Sequence, residues 1–203
     1  SSSREAAWRS KNRSQDRWVL GIDLGTGGGR MAVIDSSCSL LQTESAPYQI
    51  GLINPFDWRE RCCTLIGRLK PDYRHRLKAI AVDGTSGTLL ACDQQGLPLA
   101  EALPYSFACP NFTAQLQALS PQGGPASSAS GSLARALHLV DQHKAPLLLR
   151  HQADWINGWL LDNWSYGEEG NNLRLGWDLS KSAWPDTFTN QPCCDAPPKN
   201  RAN

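Results

Sequence analysis

The segment Gly21-Ile-Asp-Leu-Gly-Thr-Gly-Gly-Gly-Arg30 constrains this chain more than any other. It lies between two short apolar runs, Trp18–Ile22 and Arg30–Asp35. Two β-like runs joined by a glycine-rich turn read as a hairpin. Glycine reaches positive φ without steric cost and lets a ligand approach the backbone closely. Three glycine-rich phosphate devices compete for such a segment. A Walker loop needs a Lys after its last glycine, and here that place is Arg30. A dinucleotide fingerprint needs a helix after the glycines, whereas Met-Ala-Val-Ile-Asp is strand-like, which makes that reading weak. The third device is a strand–turn–strand loop with an acid at the end of its first strand. Its backbone N–H groups form a concavity for anions. Asp23 is then placed to hold hydrated Mg²⁺, which takes one or two carboxylates plus waters, and Thr26 to donate its hydroxyl to a terminal phosphate. A hairpin turn without a ligand stays open as the alternative, although consecutive glycines cost backbone entropy and pack nothing.

The rest of the chain reads as alternating strands and helices. Leu40–Thr43 extends the meander to three strands. Asn54 suits a helix N-cap, Pro55 the first helical position and Asp57 the first turn. Trp58, Cys62, Leu65, Ile66 and Leu69 follow at helical spacing, and Pro71 stops that helix. Lys78–Val82 predicts a strand running into Asp83-Gly-Thr-Ser-Gly-Thr88, with Leu89–Cys92 as its continuation and a turn at Asp93–Gly96. Residues 120–132 are a loop by composition. A helix through Leu133, Ala136, Leu137 and Val140 ends before Pro146, and 152–162 predicts another, with Ala153, Ile156 and Leu160 on one face. Residues 1–17 read as a disordered extension, order becomes doubtful after Gly167, and 188–203 read as a disordered tail.

Composition excludes several classes. With 203 residues, 40% hydrophobic and 19% charged, the chain is long enough for a real core and is not collagen-like or wholly disordered. No apolar run reaches the length of a membrane-spanning helix, and a net charge of +1 gives no electrostatic case for nucleic acid. The polar, Ser/Arg-rich start lacks a secretory h-region. The expected compartment is therefore the cytoplasm, with a plastid as the alternative. Asn12, Asn111 and Asn163 begin Asn-x-Ser/Thr triplets, read as chance matches in that setting. The seven Cys lack metal-like spacing and are expected to be reduced, buried or inert thiols.

Four stretches, in order, resemble the FGGY carbohydrate kinases of the actin-like ATPase superfamily. They are GIDLGTGGGRMAVID, KAIAVDGTSGTLLACDQQGLPLAEAL, HQADWINGWLLD and GNNLRLGWDLSKSAWPD, and together they run from about residue 18 to 187. Xylulokinase-like and D-ribulose kinase-like members are the nearest in pattern. The resemblance implies an α/β fold of the ribonuclease H type, with a mixed sheet that opens on an antiparallel three-strand meander and carries flanking helices. It implies ATP and Mg²⁺ as cofactors and a sugar, such as D-ribulose or D-xylulose, as phosphate acceptor, with no nucleic-acid or membrane partner. Asp23 would lie beside Mg²⁺, the transferred phosphate and the sugar. Thr26, Gly27, Gly28 and Arg30 would line the phosphate turn. Ser86, Asp154 and Trp155 would border the sugar pocket or support its wall. Two departures carry consequences. Where relatives have an Asp and an Arg for sugar hydroxyls, this chain has Phe107 and Cys109. No segment resembles the family's second domain, which supplies the general-base Asp and the adenine site. That leaves 18–187 as the first kinase domain, with a separate second domain or self-association expected to cover its exposed face.

Overall fold

The computed structural model describes residues 17–119, 128–143, 146–168, 171, 172, 175, 199 and 200. Strands β1 (Trp18–Leu24), β2 (Gly28–Ile34) and β3 (Leu40–Pro47) form the expected antiparallel meander. Strand β4 (Leu77–Asp83) joins β1 in parallel, giving a mixed four-stranded sheet in the order β3-β2-β1-β4. A parallel neighbour needs a crossover rather than a tight turn. Here β2, β3 and helix α1 (Pro55–Gly67) fill that connection, with a single turn, α2 (Pro71–Arg74), before β4.

Helix α1 forms for the reasons legible in its first residues. The Asn54 carboxamide oxygen accepts from the N–H groups of Phe56 at 3.0 Å and Asp57 at 3.2 Å, and Pro55 occupies the first turn. Its apolar side brings Trp58, Cys62 and Leu65 onto one face of the sheet, where Leu20, Ile22, Leu24, Met31 and Val33 alternate inward. Each such side chain contributes about 1.5–3 kcal/mol when fully buried. The helix ends at Gly67, before Pro71, which opens the next turn.

Beyond β4 the chain departs from the expectation. Leu89–Cys92 does not continue β4. Gly87 at φ +80° turns the chain, and β5 (Leu89–Cys92) pairs antiparallel with β6 (Leu148–His151) in a second sheet. All four β5 residues are buried, so this strand is covered on both faces. A 3₁₀ turn (Pro110–Phe112) runs into α3 (Thr113–Leu119), and α4 (Ser132–Gln142) packs Ala136 and Leu139 against Leu89 and Ala91. Helix α5 (Gln152–Leu161) follows β6 directly, and Tyr166–Gly167 (β7) pairs with Lys199–Asn200 (β8). Most of the proposed N-terminal extension, most of the tail and the Trp-Pro segment near 184 lie outside the described residues.

The thiols divide. Burial pushes the Cys62 and Cys92 thiols up to about 12, and Cys109 is also buried. Cys38 and Cys63 are free and exposed. Cys38 sits in the β2–β3 loop at φ +62°, and Cys63 falls on the solvent side of α1.

Candidate active site

The glycine-rich turn is a short hairpin. Gly25 N–H donates to the Gly28 carbonyl at 2.8 Å, leaving Thr26 and Gly27 at an exposed apex. None of its glycines has positive φ, which corrects the conformational reason given for them. The steric reasons differ by position. A Cβ on Gly28 would collide with the Ala46 carbonyl and lie 2.6 Å from the Pro47 Cα, so glycine is required for β2 to lie against β3. A Cβ on Gly29 would press on Leu65 and Leu24 at 3.1 and 3.2 Å. A Cβ on Gly27 would meet nothing within 4 Å. Gly27 thus faces open space, where an anion has room to approach the backbone.

Asp23 lies at the end of β1 with its side chain half exposed, and Arg30 faces it across the hairpin at 3.6 Å. Ion pairs this exposed contribute little to stability. The parallel register also sets Asp23 beside Asp83. Lateral partners share a face of the sheet, and neighbouring strands are about 4.8 Å apart, so both side chains leave the same face at adjacent strand ends. Among the described residues no group of three or more His, Cys, Asp or Glu is arranged to hold a metal ion.

Two clefts meet at Asp83. One, of about 490 Å³, runs over the open face of the sheet past Gly21, Asp23, Arg30, Ser45 and Ala81. The other, of about 400 Å³, lies between the end of β4 and α5, and Ser86, Asp154, Asn157, Glu168 and Asn171 line it. Ser86 lies on the wall of this second cleft, three residues past the end of β4. Asp154 is on the same wall but is 1% exposed, and its oxygens are engaged: Oδ1 accepts from the Glu168 N–H at 2.9 Å and Oδ2 from the Asn171 carboxamide at 3.2 Å. It shapes the cleft by holding Glu168 and Asn171 through these two bonds.

Trp155 is not on the cleft. It is 1% exposed, packs edge to face on Trp58 with ring centroids 6.0 Å apart, and donates its indole N–H to the Gly96 carbonyl at 2.8 Å. Successive helix residues point about 100° apart, so Asp154 at the cleft sends Trp155 into the core. Phe107 and Cys109 line neither cleft. The Phe107 carbonyl is held by the Arg135 guanidinium at 3.0 Å, and Cys109 is buried against α3 and α4. Arg135 is itself buried and also binds the carbonyls of Gly87, Tyr105 and Ser130.

The residues missed from sequence are Asp83, Glu168, Asn171, Tyr48 and Gln152. Asp83 had a signal, since it ends a strand just as Asp23 does. The parallel register that brings the two together has no local trace. Glu168 and Asn171 lie in a stretch without periodicity. Tyr48 and Gln152 are polar side chains between elements. The Tyr48 hydroxyl donates to the Gly25 carbonyl at 2.8 Å, and Gln152, fully buried, reaches both Tyr48 and Thr85.

No family model matches the chain. Solved structures do resemble it. A xylulose kinase from Rhodospirillum rubrum superposes with a TM-score of 0.72 at 18% identity, over 90% of this chain and 43% of its own. A Plasmodium falciparum glycerol kinase with ADP gives 0.68 at 13%, over 93% and 44%. A gluconate kinase from Lactobacillus acidophilus gives 0.64 at 12%, over 92% and 42%. The chain thus spans about two-fifths of the length of the kinases it resembles. At these identities the likeness defines the fold: an α/β domain with a mixed sheet and flanking helices, of the kind found in sugar kinase ATPases.

Proposed function

We propose that this chain supplies the phosphate turn and part of the acceptor pocket of an ATP-dependent sugar kinase, with a pentulose such as D-ribulose or D-xylulose as acceptor. The observation that carries this reading is the position of Asp83, shared by a cleft that holds Asp23 and Arg30 and a cleft that holds Ser86 and Asn171. A phosphoryl donor and a hydroxylated acceptor need two such spaces that meet. Thr26 and Gly27 present open backbone to the phosphates, and Arg30 offers a cation beside them. Ser86, Glu168 and Asn171 offer hydrogen bonds to acceptor hydroxyls.

Mg²⁺ fits the donor set, because two exposed carboxylates on neighbouring strand ends suit an ion that keeps most of its waters. Asp23 and Asp83 would hold it, and when bound it would neutralise charge on the transferring phosphate. Asp23 also pairs with Arg30 across the hairpin at 3.6 Å. The Asp154 contacts to Glu168 and Asn171 hold the acceptor side in shape. In this reading the adenine site and the general base come from residues beyond this chain.

The rival reading is a binding module without turnover. It is favoured by Phe107 and Cys109, which stand where sugar-binding residues would be and line neither cleft. Calorimetric titration with Mg·ATP, D-ribulose and D-xylulose tests the proposal, together with a coupled ADP-release assay. We expect affinities of about 1 mM or weaker and no sugar-dependent turnover for these 203 residues alone. A second kinase domain added in trans should raise turnover. Nucleotide binding without any sugar response, in trans as well, favours the binding module. Turnover near 1 s⁻¹ by the chain alone would show that a base and a nucleotide site lie within these residues.

A further inference from the structure

One polar chain crosses the molecule and joins the two turns of the candidate site. At one end Tyr48 holds the glycine-rich turn twice: its N–H donates to the Gly27 carbonyl at 2.9 Å and its hydroxyl to the Gly25 carbonyl at 2.8 Å. At the other end the Gln152 carboxamide oxygen accepts from the Thr85 N–H and the Thr85 hydroxyl, both at 2.8 Å. Between them the Gln152 carboxamide nitrogen donates to the Tyr48 hydroxyl at 3.2 Å. Tyr48 and Gln152 lie 104 residues apart in sequence, so only the tertiary fold brings them together.

Each proton direction in this chain follows from the one before. The Thr85 N–H can only donate, so it fixes which end of the Gln152 amide is oxygen. The amide nitrogen must then donate to Tyr48, and the Tyr48 hydroxyl spends its one proton on Gly25. The Thr85 hydroxyl proton goes to Gln152, so Thr88, whose hydroxyl is 2.7 Å away, is the donor to Thr85. Burial raises the Tyr48 phenol to about 12, so it stays a donor over the working pH range. Gln152 is fully buried, and its backbone N–H donates to the Thr88 carbonyl at 3.1 Å. Gly84 leaves it room, since a Cβ there would lie 3.0 Å from the carboxamide oxygen. Directional networks of this kind are stiff when every member is satisfied.

We propose that Tyr48 and Gln152 are positioning residues that hold the Gly25–Gly28 turn at a fixed spacing from the Thr85–Ser86 turn, so that order on one side is transmitted to the other. The effect on ligands rests on the kinase reading above, whereas the coupling of the two turns does not. The chain offers a discrete hydrogen-bonded route between sites remote in sequence, and its claim is energetic coupling that can be measured.

Amide hydrogen exchange on the full chain tests it with Tyr48→Phe, which keeps the ring and removes the hydroxyl. We expect exchange at Thr85 and Thr88, across the network from the change, to speed up by about fivefold or more. Gln152→Ala should do the reciprocal, speeding exchange at Gly25 and Tyr48. If it fails to fold, Tyr48→Phe alone decides. Exchange that changes only between Leu24 and Tyr48 in Tyr48→Phe overturns the proposal. Mg·ADP titration of the wild-type chain and Tyr48→Phe separates this from the functional reading. Wild-type binding that weakens in the variant supports both. Coupled exchange with no wild-type binding up to about 10 mM Mg·ADP, a second kinase domain being present in trans, keeps the strut and removes the kinase reading. Uncoupled exchange with intact binding does the reverse.

Discussion

The two faces of the four-stranded sheet differ in what they carry. On one, Leu20, Ile22, Leu24, Met31 and Val33 meet α1 and are almost wholly buried. On the other, Gly21, Asp23, Arg30, Thr43, Ser45 and Ala81 line an open cleft. The same strands make both, with side chains alternating between them. The packed face uses large aliphatic groups whose burial holds the sheet to its helix. The open face uses small and charged groups that leave space and project carboxylates. Core packing and the proposed ligand chemistry are thus separated residue by residue along β1 and β2.

The largest effect is expected where that alternation is sharpest, at Ile22 and Asp23. Ile22→Ala empties a site that is 2% exposed and should cost about 2–5 kcal/mol in urea unfolding. Asp23→Ala, one residue on, should leave stability within about 0.5 kcal/mol and weaken Mg·ADP binding by about tenfold or more. Equal destabilisation by both would erase the distinction between the faces.

Asp57, at the start of α1 on the packed side, should come next. Burial pushes its carboxyl up, but the backbone N–H groups of Ile50, Gly51 and Gln49 and the Arg61 guanidinium outweigh this and hold it below the usual carboxylate range. A depressed folded pKa gives stability that is present above the unfolded value, about 3.9, and is lost as pH falls through the folded value. Asp57→Asn should therefore cost about 1–3 kcal/mol at neutral pH and flatten the acid limb of a urea-midpoint profile. An unchanged acid limb would remove Asp57 from the account.

The smallest change concerns Gly27. A methyl there meets nothing in the protein and the φ is not positive, so Gly27→Ala should leave the melting temperature unchanged. It should still weaken Mg·ADP binding severalfold, because the methyl occupies the open space above the turn. Binding equal to wild type would place the phosphates elsewhere.

How much of this was legible in sequence follows the same division. The meander, α1 with its Asn54 cap and the two later helices are written in local periodicity and capping residues, which need only neighbours in the chain. The positions of Asp23, Thr26 and Ser86 beside strand ends are legible because glycine punctuates those ends. The inward direction of Trp155 is not legible, because motif position does not reveal which way a helix residue turns. Leu89–Cys92 was assigned to the wrong sheet because a buried apolar run names no partner strand. Asp83 beside Asp23, Arg135 gathering four carbonyls, and the Tyr48–Gln152 link are long-range pairings. No window of sequence contains both members of such pairs.

The central claim is that Asp23 and Asp83 form one ligand-bearing edge on the open face. Mn²⁺ substituted for Mg²⁺ in the presence of ADP tests it most directly, through paramagnetic broadening of assigned amide resonances. The account predicts broadening centred on Asp23–Gly28 and Asp83–Ser86, absent at Ala136 and Leu139 and lost when Asp23→Asn and Asp83→Asn are combined. Broadening centred elsewhere, or undiminished in that double variant, would contradict it.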